Sequence, residues 1–130
     1  MIIKERKHQN NEPRVAKKDI RCYKILCFDK DINKYYTPVM HVEVTSNTLE
    51  CESFSNEPTN NKVHHGIHTF RNIFVCFMDF LTIQIFDMRT ISIKIHICIK
   101  RSIIPKGTRY WVGKGGCYCS ERIIIKGLNI

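Results

Sequence analysis

The chain has 130 residues, the size of one domain, and 21 Lys and Arg against 12 Asp and Glu give it a formal net charge of +9. Its seven cysteines are odd in number and irregularly spaced, which excludes complete pairing within a monomer and points to reduced thiols. Its longest apolar stretch, Ile73 to Phe86, is broken by Asp79 and Gln84 and falls short of the roughly 20 residues of a spanning helix, while Lys4, Glu5, Arg6 and Lys7 stand where a signal peptide needs apolar residues. Neither export nor a transmembrane segment is therefore expected, and the expected location is the cytoplasm of a host cell or a virion assembled there.

In chain order, residues 1–19 mix charge, Asn and one Pro without apolar periodicity, which predicts a mobile N-terminal arm ahead of a single domain at 20–130. Arg21 to Phe28 reads as a first strand, and Asp29 to Lys34 as the turn that ends it. Tyr35 to Val44 is a second strand, held to an edge or bulge by Pro38, which lacks an amide donor. Thr45 to Lys62 is polar and reads as a long surface loop with one short strand around Leu49–Cys51.

From Thr69 onward, Phe70, Phe74, Phe77, Phe80 and Leu81 cover one side of a helical wheel, and Arg71, Asn72 and Asp79 fall on another. This spacing predicts a helix over 69–81 with Thr69 as its N-cap, and residues 82–88 fit helix and strand equally. In the next segment Ile91, Ile93, Ile95, Ile97 and Ile99 alternate with Ser92, Lys94, His96, Cys98 and Lys100, a period that only a strand places on one face. A strand over 90–103 with its isoleucines toward the core follows, then a turn at Pro105-Lys106-Gly107, a strand over 108–113, a turn at Gly113–Gly116 and a last strand over 117–126. The sum is an α+β domain: an antiparallel or mixed sheet of about five strands, one main helix and closing C-terminal hairpins.

Charge is concentrated at the end of the chain, where residues 91–130 hold eight bases and one acid. Such a pole attracts polyanions and acidic protein surfaces. Within it Lys94, Lys100, Arg101, Lys106, Arg109 and Trp111 combine cations with an aromatic ring, a set suited to gripping an acidic protein surface, a virion component or a nucleic-acid backbone without sequence preference. His64, His65 and His68 lie close enough in sequence for two imidazoles to share a metal. Gly66 splits them, however, and Cys117 and Cys119 lack the turn-forming spacing of a structural zinc site, so neither a metal nor another cofactor is expected. Cys98 shares a strand face with His96, yet in a chain with seven cysteines such a neighbour arises by chance, and a buried inert thiol is the expectation.

Ile103-Ile104-Pro105-Lys106-Gly107-Thr108-Arg109-Tyr110-Trp111, followed by Ser120-Glu121-Arg122-Ile123-Ile124-Ile125, resembles the closing hairpin of small uncharacterised proteins from phages and mobile elements of gut Bacteroidetes. Gly66-Ile67-His68-Thr69-Phe70 resembles the segment that opens their helix. A second similarity is to the ADP-ribosyltransferase fold, in which a Pro-Lys-Gly-Thr turn also enters a hairpin ahead of a catalytic Glu-x-Glu or Gln-x-Glu. Here Cys119 stands where the first polar residue of that motif belongs, leaving Glu121 alone. These resemblances imply a phage-associated origin and a sheet fold, with no assigned activity. Together with the basic C-terminal sheet they lead to the expectation of a non-enzymatic phage or mobile-element protein, virion-associated or bound to a host factor, that holds an acidic partner and can form an oligomer, with a small or degenerate ADP-ribosyltransferase-like enzyme as the alternative.

Overall fold

The computed structural model describes residues 12–38, 42–55, 65–78 and 95–128. They form ten strands: β1 (Arg14–Val15), β2 (Ile20–Asp29), β3 (Lys34–Tyr36), β4 (Glu43–Val44), β5 (Thr48–Glu50), β6 (Ile67–Phe70), β7 (Ile95–Ile104), β8 (Arg109–Val112), β9 (Cys117–Ser120) and β10 (Arg122–Ile125). Every pairing is antiparallel, in the order β1-β8-β9-β6-β2-β7-β10-β5, with β3 and β4 as a side branch from β2. This overturns the expected α+β fold of about five strands around a main helix. Among the described residues only 73–78 are helical.

The helix starts later than the sequence predicts because Ile67, His68, Thr69 and Phe70 are claimed by β6, which pairs with β9 along its whole length. Thr69 therefore sits in a strand and caps nothing. The N-cap is Asn72: its side-chain Oδ1 accepts from the amide of Val75 at 2.9 Å, and its carbonyl accepts from Cys76 at 3.2 Å. Residues 79–94 lie outside the described residues, and with them the end of the expected helix, the ambiguous run 82–88 and Lys94. Residues 1–11 of the expected arm do as well. Its later part is ordered into the sheet, since Arg14 and Val15 pair with Tyr110 and Arg109 and Ala16 is buried.

β2 and β7 form the spine, in continuous register from Ile20 opposite Ile104 to Asp29 opposite Ile95. Residues facing each other across an antiparallel pair share a sheet face. That register puts Cys22 and Leu26 with Ser102, Cys98 and Ile104, and all but Ser102 belong to the main core with Ile123 and Ile125 of β10 and Val44 of β4. Ile97 and Ile99 stand opposite Cys27 and Ile25 on the other face. Of the isoleucine array, Ile97 and Ile99 thus lie in the strand but turn away from the main core, a correction to the expected orientation, while Ile91 and Ile93 lie outside the described residues. The reverse face is also apolar at this point, since Ile25 and Cys27 keep only 3% and 2% of their surface exposed. Leu26 is fully buried, a contribution of about 2–3 kcal/mol, and Leu26→Ala costs about 2–5 kcal/mol with the cavity included.

The last strand expected over 117–126 is divided at Glu121 into β9, which pairs with β6 and β8, and β10, which pairs with β7 and β5. Both β6 and β7 also pair with β2. The path of pairings therefore returns to its own chain at Glu121, and the main core lies on its inner face. A second cluster, Phe54, Trp111 and Cys119, packs on the opposite face, where Trp111 and Cys119 are cross-strand partners.

Candidate anion-binding cleft

Of the six basic and aromatic residues singled out in the sequence, the five that are described do not converge. Trp111 is 4% exposed, and its indole Nε1 donates to the Ser55 carbonyl at 2.8 Å, so it is a core side chain with its one donor satisfied. Lys100 donates to the Gly127 carbonyl at 3.3 Å and stands 5.5 Å from the centre of the Tyr35 ring. Arg101 is exposed on the face opposite to Lys100, and Lys106 is exposed in the turn whose amide donates to Asp19 Oδ1 at 2.9 Å. Lys94 lies outside the described residues.

Arg109 is committed elsewhere. Its Nη2 and Nε donate to the two carboxylate oxygens of Glu121 at 3.0 and 3.2 Å, and the guanidinium stands 5.3 Å from the Phe54 ring centre. The forked pair holds the Glu121 carboxyl below its ordinary range, first through these hydrogen bonds. The same residue organises the backbone: its amide donates to the Arg109 carbonyl at 3.0 Å and its carbonyl accepts from Cys51 at 2.9 Å. Glu121 does border a cleft of about 350 Å³ with Glu50, Glu52 and Thr108, but both its oxygens are already engaged by Arg109.

The histidines are likewise structural where described. His65 exchanges hydrogen bonds with Ser55, its amide donating to Ser55 Oγ at 3.1 Å and its carbonyl accepting from the Ser55 amide at 3.0 Å. The His68 carbonyl accepts from Lys24 Nζ at 3.0 Å. His64 lies outside the described residues. Among the described residues no group of three or more His, Cys, Asp or Glu side chains is placed to hold a metal. No disulfide joins the seven cysteines. Burial pushes the Cys22 thiol up to about 11, the Cys119 thiol up to about 12, and the Cys98 thiol upward as well. These thiols stay protonated at neutral pH and are poor nucleophiles.

Positive charge instead gathers where sequence spacing gave no sign of it. Arg14 of β1, Arg71 just after β6 and Lys114 of the β8–β9 turn line one cleft of about 320 Å³ together with Tyr110 and Tyr118. Arg14 is cross-strand to Tyr110, Tyr110 to Ser120, and Tyr118 to both Val112 and Thr69, which places both tyrosines on the inner face. The rings meet edge to face, 6.0 Å between centres. The turn Gly113–Gly116 forms one wall, and φ values of 75° and 78° at Gly115 and Gly116 are those a side chain rarely tolerates. Gly116 also carries the contact that sets Arg71, since its carbonyl accepts the Arg71 amide at 2.7 Å.

The Tyr118 hydroxyl records this environment. Burial raises its pKa most, the Arg71 charge pulls it down, Tyr110 raises it, and Arg14 pulls it down again. It remains protonated at neutral pH and keeps a donor for an anion. Below it Thr69 Oγ1 and Ser120 Oγ are buried with no hydrogen-bond partner among the described residues. The Cys22 thiol is beside Thr69, but sulfur is a weak acceptor. In chemical terms the cleft offers three cations, a phenolic donor and two tyrosine rings set edge to face.

Arg14 was hidden in the expected arm and Arg71 in the expected helix; only the glycine turn was legible, and only as a turn. Among the described residues no helix is long and apolar enough to cross a membrane. Comparisons with protein families, with curated proteins and with solved structures return no match to this chain.

Proposed function

We propose that the chain is a non-enzymatic binding module that holds an acidic partner, with the cleft of Arg14, Arg71 and Lys114 as the gripping site in place of the basic C-terminal strands alone. The observation that carries this reading is convergence: cations from positions 14, 71 and 114 line a single cleft, and among the described residues no carboxylate lines it with them. Charges so grouped cost folding free energy by mutual repulsion, which an anionic partner relieves. A binding role is favoured over the transferase alternative because both carboxylate oxygens of Glu121, the one acid that alternative needs, accept hydrogen bonds from Arg109. The phage and mobile-element proteins that the closing hairpin resembles set the context: a virion component or a host factor in the cytoplasm supplies the acidic surface.

The test is fluorescence anisotropy with a labelled polyglutamate peptide and a labelled single-stranded oligonucleotide, across salt concentrations. Three neutralised charges predict a slope of log affinity against log salt of about −2 for the oligonucleotide. Arg71→Glu and Lys114→Glu weaken binding of at least one probe about tenfold or more, whereas Lys126→Glu, an exposed base that does not line the cleft, leaves it within about twofold. Equal losses for Lys126→Glu and Lys114→Glu would show that net charge alone is responsible and overturn the site.

A further inference from the structure

Resting on the cleft just described, we infer that its ligand is the terminal phosphate monoester of a single-stranded nucleic acid, the phosphate held by Arg14, Arg71 and Lys114 and the first base placed against the tyrosine wall. Three lines lead there. The first is charge matching: three basic residues lining one cleft of about 320 Å³ exceed what the single negative charge of a phosphodiester uses, and suit a monoester of charge about −1.5 to −2. The second is size, since this volume is at the lower end for ligand sites and takes one phosphate and one ring rather than a run of backbone. The third is the lining: Tyr110 and Tyr118 are half-buried, line the cleft and meet edge to face, and an aromatic side chain there can take a base by its face or its edge.

The wall opposite is suited to a phosphate. Gly115 and Gly116 carry no side chain to hold a phosphate oxygen away from the turn, and a Cβ at Gly115 would meet nothing within 4 Å, so the cleft is open on that side. Arginine supplies a planar fork that matches phosphate oxygens in pairs, and two of the three cations are arginines. The Tyr118 hydroxyl, kept protonated by burial, adds a neutral donor that a further cation would not.

The experiment compares a labelled hexathymidylate carrying a 5′-phosphate with the same oligonucleotide ending in a 5′-hydroxyl and with a phosphoserine peptide of similar length, using the full chain at near-physiological salt. The phosphorylated oligonucleotide binds about tenfold tighter than the hydroxyl form, and Lys114→Glu and Arg71→Glu abolish that difference. Both residues are exposed, so the variants fold, which a thermal melt verifies. Tyr110→Leu weakens the phosphorylated oligonucleotide but not inorganic phosphate used as competitor. If the two oligonucleotides bind alike while the cleft variants still weaken both, the terminal-phosphate assignment is overturned and the cleft as an anion site stands. If the cleft variants change neither, the cleft itself is refuted. A phosphoserine peptide that binds as tightly as the phosphorylated oligonucleotide overturns the assignment to nucleic acid.

Discussion

Thr69→Val is expected to stabilise the protein. Thr69 is fully buried in β6, and among the described residues its Oγ1 meets no partner stronger than the Cys22 thiol, a weak acceptor. A buried hydroxyl left without a partner costs about 1–3 kcal/mol. Valine replaces that hydroxyl with a methyl group on the same branched frame, adds about 0.8 kcal/mol of apolar burial, and suits a strand equally well. Crowding against Tyr118 and Cys22 gives back about 1 kcal/mol, so the net gain is about 1–3 kcal/mol. Urea unfolding reads this as a higher midpoint at unchanged slope, and a thermal melt as a rise of roughly 3–8 °C. Thr69→Ser, which keeps the hydroxyl and loses the methyl, moves the other way by about 1 kcal/mol. A Thr69→Val midpoint at or below that of the parent would show the hydroxyl to be satisfied, and the reasoning about the inner face would fail with it.

Gly66→Ala places a methyl group against the Cys119 sulfur and costs about 1–3 kcal/mol by overpacking; Cys119→Ala in the same chain returns most of that loss, and strict additivity in the double-mutant cycle would refute the contact. Alkylation of the native protein followed by mass spectrometry should modify half-exposed Cys51 and Cys117 well before Cys22, Cys76 and Cys119, which keep 2% or less of their surface exposed; rapid modification of Cys119 at neutral pH would contradict its burial. Glu121 in the folded chain sits below the ordinary glutamate value of 4.5, so its contribution to stability is present above that value and is lost as pH falls through the lowered folded one. Glu121→Gln should flatten that acid limb of the stability profile, and an unchanged limb would show that other carboxylates set it.

The spine of the fold was legible in the sequence and the direction it faces was not. Strict alternation identified β7, but polar and apolar labels mislead where both faces of a strand are covered: Cys98 and Ser102 took the inner face, while Ile97 and Ile99 took the other beside Ile25 and Cys27. The misread helix has a similar cause. Phe70, Phe74 and Phe77 stand at helical spacing, yet Phe70 is opposite Tyr23 and Cys117 in the sheet and Phe74 is 80% exposed on the helix. What decided the matter was a pairing with β9, far along the chain, which no local window contains. The cleft was illegible for the same reason, because its cations lie at positions 14, 71 and 114 and only the sheet brings them together. Arg109 and Glu121 were seen separately as a binding cation and a residual acid; the hairpin register makes them partners.

The pairing of β2 with β7 joins residues 66 to 84 positions apart, and this governs how the protein is made. At about 5–20 residues per second on the ribosome, β2 emerges several seconds before its partner exists. For that interval Ile25, Leu26, Cys27 and Phe28 form a bare apolar edge able to pair with any other strand. Nascent chains on one messenger therefore present the same unsatisfied edge side by side, and a synthesis that stalls before Ile104 leaves it exposed for good. Yield in a cell is therefore expected to fall when translation of the second half slows, and to recover when a chaperone covers β2 in the meantime.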